Sequence, residues 1–120
     1  MSTLIPAPSI IAAAGNKPKI IEEFFGRINT GTTEVSIARM KSPAGWVEPA
    51  QTPEFNEYTV VLRGMIRVAT AEGMVDVHAG QGILTPKGER VQYSTPGADG
   101  AEYVAVCLPA FAPDLVRREV

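Results

Sequence analysis

Residues 45–64 read GWVEPAQTPEFNEYTVVLRG, and the fold turns on how this stretch is parsed. Run as a strand from Gln51 to Val61, a period of two places Gln51, Pro53, Phe55, Glu57, Thr59 and Val61 on one face. That face offers an amide from Gln51, an apolar wall from Phe55 and a carboxylate from Glu57. Proline has no amide proton for a sheet ladder, so the strand is expected to be irregular or at an edge until after Pro53. Glu54 and Asn56 have the opposite parity and are expected at solvent or at a rim.

Outward from this stretch the chain reads as β from Thr33 onward, in short apolar or alternating runs separated by turn residues. The expected strands are Thr33–Met40, Glu57–Leu62, Met65–Thr70, Met74–Val77, Gly82–Thr85, Val91–Ser94 and Glu102–Leu108. Gly64, Glu72 with Gly73, Ala79 with Gly80, Pro86 to Gly88 and Pro96 to Gly100 punctuate them. Before Lys19, Pro6, Pro8, Gly15 and Pro18 suggest an arm without a strong period, although Ile10 to Ala14 is apolar enough to cover a sheet edge or to cross to a partner subunit. Lys19 to Ile28 fits a helical turn or a strand. A short last helix is expected near Pro113, with Asp114 in its first turn and Arg117 and Arg118 near its end, as the helix dipole favours. The expected organisation is a single domain over 1–120, divided into an arm and edge segment at 1–32, a β-barrel at 33–109 and a tail or short helix at 110–120.

The spacing Gly45, Gln51, Pro53, Glu57, Gly64 resembles the first motif of the cupins, G-x5-H-x-H-x3-E-x6-G, with Gln51 and Pro53 at the histidine positions. Residues 80–91, GQGILTPKGERV, are similar to the second motif, G-x5-P-x-G-x2-H-x3-N, with Gly80, Pro86 and Gly88 matching, Val91 at the histidine and Thr95 at the asparagine. PEFNEYTVVLRG and EYVAVCLPAF look like the small stand-alone cupins related to the domain encoded in ethanolamine-utilisation operons. The resemblance covers roughly Gly45 to Thr95. It implies an all-β fold, a jelly-roll barrel of antiparallel strands, and a homodimer with a small pocket at one end of the barrel.

In that barrel the face bearing Gln51, Phe55 and Glu57 lines the interior, and Val91 and Tyr93 join it from the second motif. Arg39, on the strand leading into the first motif, is the arginine best placed to bind an anionic group. A carboxylate in an apolar barrel raises its pKa toward neutrality, which suits a general base, so Glu57 is the candidate catalytic residue, with Gln51 or Tyr93 stabilising an oxyanion. The competing reading makes Glu57 a fold residue held by hydrogen bonds or an arginine. Cupin metals need several converging nitrogen or oxygen ligands, and the sole histidine, His78, lies outside both motifs. A transition metal is therefore disfavoured and no cofactor is expected. Cys107 reads as a buried, inert thiol.

Eleven Lys and Arg against 13 Asp and Glu give a net charge of −2, which disfavours nucleic acid and anionic membranes as partners. The single cysteine, the absence of a basic segment followed by a long apolar one at the start, and the lack of an apolar run of roughly 20 residues lead to the expectation of a soluble cytoplasmic protein. The functional expectation is a barrel that binds a small organic molecule without the histidine metal site. The alternatives are a metal-independent lyase or isomerase using Glu57, and an assembly protein whose barrel is filled by its own side chains.

Overall fold

The computed structural model describes residues 1–119; Val120, the last residue of the expected tail, lies outside the described residues. Among the described residues nine strands, β1 (Ser9–Ile11), β2 (Ile20–Phe25), β3 (Ser36–Ser42), β4 (Trp46–Val47), β5 (Asn56–Thr70), β6 (Gly73–His78), β7 (Gly82–Thr85), β8 (Gln92–Thr95) and β9 (Ala101–Leu108), precede one short helix, α1 (Pro113–Val116). They pair in the order β1-β2-β3-β9-β5-β8-β4, with β6 and β7 also on β5, and the sheet curls into a half-barrel. Every pairing is antiparallel.

β5 organises the whole. The two strands expected on either side of Gly64 are one strand of 15 residues whose first half pairs with β9 and β7 and whose second half pairs with β6 and β8. Gly64 is a bend and not a break: its φ is +74°, and a Cβ there would run into the carbonyl of Gly100. The ladder shifts register between Val61 and Arg63, which lets the strand turn from one layer of the half-barrel to the other. Met65 to His78 forms a hairpin closed at Gly73.

Lys19 to Ile28 resolves to a strand, because Ile20–Phe25 is hydrogen-bonded on both sides, to β1 and to β3. The arm docks on its own barrel. β1 covers the free edge of β2, and further on the Trp46 indole N–H donates to the Ala14 carbonyl at 3.0 Å while Asn16 and Val47 exchange bonds of 3.1 and 2.8 Å. At the chain's other end, the amides of Thr52 and Glu54 donate to the Arg117 and Leu115 carbonyls. Asp114 lies in the first turn of α1 as expected, but Arg117 has left the helix for a left-handed conformation at its C-cap. Trp46, Val61, Ile66, Val68, Val77, Val91 and Tyr93 belong to the main apolar cluster, and Phe55, Cys107 and Val116 form a second one. No helix among the described residues is long and apolar enough to cross a membrane.

Candidate functional site

Between the two clusters lies a cavity of about 60 Å³. The alternation read from residues 51–61 holds: Gln51, Pro53, Phe55, Glu57, Thr59 and Val61 are all buried, while Glu54, Tyr58 and Val60 are exposed. Gln51, Phe55, Glu57 and Tyr93 line the cavity. Two other candidates do not. Val91 is packed in the apolar cluster and meets Gln51 only through a pair of 2.9 Å backbone bonds. Arg39 lies on the opposite face of β3 and holds Glu22 at 2.9 Å; its neighbours Ala38 and Met40 are the residues that reach the cavity, because side chains alternate along the strand.

Several lining residues lay outside the sequence reading. Glu48, 6 % exposed, enters from the loop after β4, Lys19 from the end of the arm and Arg118 from the segment after α1. The Lys19 ammonium stands 4.2 Å above the Trp46 ring and 5.2 Å from Tyr103, a cation–π seat that also points its charge at the carboxylates. Glu23 also borders the cavity, but its carboxylate accepts the Ile28 and Asn29 amides at 3.0 and 2.9 Å and reads as a loop anchor.

Burial first, and the negative charge of Glu48 second, push the Glu57 carboxyl up to about 7, against the pull of Lys19 and Arg118. Burial likewise raises Glu48, opposed by the same two cations. The Tyr93 phenol, bonded to the Thr85 hydroxyl at 2.8 Å, is pushed up by burial and by Glu57, and so is the Cys107 thiol, which is inert in that state. Among the described residues, two buried side-chain polar atoms lack a hydrogen-bond partner, Gln51 Oε1 and Arg118 Nε. The site thus gathers Glu57, Glu48, Lys19 and Arg118 around one largely buried cavity, with the Glu57 carboxyl pushed up toward neutrality.

The donors do not fit a transition metal. Among the described residues no group of three or more His, Cys, Asp or Glu converges, and the two carboxyls that do approach each other are answered by Lys19 and Arg118. His78, the sole histidine, is exposed at the end of β6.

Solved structures share this architecture. Oxalate decarboxylase from Bacillus subtilis superposes with a TM-score of 0.75 at 16 % identity, over 98 % of this chain and 33 % of that one. The polyketide cyclase RemF from Streptomyces resistomycificus gives 0.76 at 15 % over 100 % and 85 %. A putative ethanolamine utilization protein, EutQ, from Salmonella typhimurium gives 0.64 at 16 % over 87 % and 97 %. The chain has the cupin fold. No family model matches it.

Likeness in sequence leads elsewhere. The chain is 44 % identical over 101 residues to Endoribonuclease YbeY of Myxococcus xanthus, a match that takes in 84 % of this chain and 34 % of the relative. The chain therefore spans about a third of the curated relative it matches. That relative's name points to RNA processing and overturns the functional expectation of a barrel that binds a small organic molecule, together with its lyase, isomerase and assembly alternatives.

Proposed function

We propose that this chain works in RNA processing, as the cupin-fold portion of a protein akin to endoribonuclease YbeY. The observation that carries this reading is the 44 % identity over 101 residues with the Myxococcus xanthus relative. Because the match takes in only 34 % of that relative, the reading assigns RNA scission to the rest of a longer protein. Two features of the barrel support that division. The cavity beside Glu57 and Glu48 is walled by Phe55, Tyr93 and Tyr103, an apolar and aromatic lining unlike a surface that grips a phosphodiester. The net charge of −2 supplies no general attraction for a phosphate backbone, so the barrel's contribution is not to hold RNA by charge alone. Within the barrel, burial and the charge of Glu48 push the Glu57 carboxyl up to about 7. RNA processing and the single, buried Cys107 both accord with a cytoplasmic location.

The test is deletion of the coding segment for these residues in the organism that makes them, followed by mapping of RNA 5′ and 3′ ends. Precursor ends should accumulate at defined sites. Unchanged RNA ends would overturn the reading. Purified chain incubated with the same RNA should leave it intact.

A further inference from the structure

Past Phe111 the chain is fastened to the barrel lightly. Up to that point it is anchored, the Ala110 amide donating to the Thr33 carbonyl at 3.0 Å and the Phe111 amide to the Ser36 hydroxyl at 2.9 Å. From there α1 and the residues after it run along the cavity beside residues 50–54. Among the described residues the backbone bonds that hold them to that segment are those from the Glu54 and Thr52 amides to the Leu115 and Arg117 carbonyls, at 2.8 and 3.3 Å, and from the Glu119 amide to the Ala50 carbonyl at 2.8 Å. The ion pairs Arg117–Glu54 and Arg90–Glu119 lie on the outer side, exposed, and contribute little. On the inner side Val116 packs with Phe55 and Cys107, and Arg118 borders the cavity. Two costs are local to this segment: Arg117 sits at a φ of +51°, in the left-handed region that disfavours a side chain, and Arg118 Nε is buried without a partner. A segment so held opens before the barrel does.

We propose that residues 113–119 are a strap hinged at Ala112, which lifts off the cavity as the Glu57 carboxyl gives up its proton. The groups that face Glu57 are Glu48 from the loop after β4, Lys19 from the arm, Tyr93 from β8, Cys107 from β9 and Arg118 from the strap itself. Two more line the cavity but are engaged elsewhere, Glu23 with the amides of its own loop and Tyr103 with the Ser42 hydroxyl at 2.9 Å. With the strap down, burial holds the Glu57 carboxyl up at about 7; with the strap lifted, water reaches it and returns it toward the ordinary 4.5. Lys19 and Arg118 favour the ionised carboxyl, but burial is the larger effect. The closed form therefore keeps the proton better than the open one. Closure is firmest below about pH 4.5 and weakens as the pH rises toward 7. Opening admits water to Glu57 and uncovers the Cys107 side of the cavity, so access to the interior follows pH. The strap does not depend on the RNA reading.

Native-state hydrogen exchange on the whole chain, from about pH 5.5 to about pH 7.5 with each amide's intrinsic rate divided out, tests this. The Thr52, Glu54 and Glu119 amides, which bond across the strap, should open together and more often than the Gln51 and Val91 amides, which bond to each other's carbonyls within the barrel. Their opening constant should rise about tenfold or more over that range. In Glu57→Gln it should be flat. Should that variant fail to fold, the wild type alone decides: strap amides that exchange only together with Gln51 and Val91 overturn the proposal, and so does an opening constant that does not change with pH. A folded Glu57→Gln chain that keeps the full rise overturns it as well.

Discussion

Alternate residues of β5 meet opposite surroundings. Glu57 and Thr59 are buried at 9 % and 2 % exposure, whereas Tyr58 and Val60 between and beyond them stand in solvent. On β9 the inner set is Tyr103, Ala105 and Cys107 and the outer set is Val104 and Val106; on β3, Ser36 and Ala38 point in and Ile37 out. Along these three strands the inward face is as polar as the outward one. Hydrophobicity alone does not decide which side of this sheet is the interior. That is decided by the apolar cluster around Trp46, Ile66 and Val68 at one end and by the arm and tail that close over the chamber. Ionisable groups kept inside cost free energy, and apolar groups left outside forgo burial, so both faces depart from what stability alone would select.

The largest effect is expected at the apolar end of the interior. Trp46 is fully buried, donates to Ala14 and carries Lys19 on its ring. Trp46→Ala should lower unfolding stability by about 3–5 kcal/mol in a urea titration and loosen the arm as well. A loss below about 1 kcal/mol would mean that Trp46 is not what fixes the inner face.

Next in size is the chamber's pH dependence. The Glu57 carboxyl sits at about 7 in the fold against an ordinary 4.5, so the folded chain keeps a proton that the unfolded chain has released. Stability from this group is fully present below about pH 4.5, falls as the pH rises toward 7 and levels off above it. The span amounts to about 3 kcal/mol. Glu57→Gln should remove that slope and leave the variant more stable than wild type above pH 7, measured as midpoints of urea unfolding from pH 4 to 8. An unchanged slope in the variant would assign it to other groups, Glu48 first.

The outer face should respond least. Arg39→Ala breaks a solvent-exposed pair with Glu22, and the thermal midpoint should not move measurably. A marked loss would show that the outer charges carry the sheet.

Much of this was legible in the sequence where structure is local. The alternation from Gln51 to Val61 fixed the inner set of β5, and glycine and proline spacing located most strand ends. What depended on distant contacts was not legible. Gly64 looked like a turn because its neighbours gave no sign of Gly100 pressing against it. Arg39 looked like a pocket residue because its strand leads into the first motif, and only its pairing with Glu22 on β2 shows which way it points. Glu48 had a usable signal. Trp46, Glu48 and Ala50 alternate with exposed Val47 and Pro49, and extending the buried tryptophan's parity by two reaches the second carboxyl. Lys19 and Arg118 had none, since they enter from opposite ends of the chain.

The contrast between the faces rests on Glu57 being a carboxyl held near neutrality inside a largely buried cavity. Carbon-13 NMR titration of the glutamate carboxyls, assigned with Glu57→Gln and Glu48→Gln, measures this in the intact chain. Glu57 should titrate at about 7 and move down when Glu48→Gln removes the neighbouring charge. A Glu57 midpoint at the ordinary 4.5, indifferent to Glu48, would contradict the account.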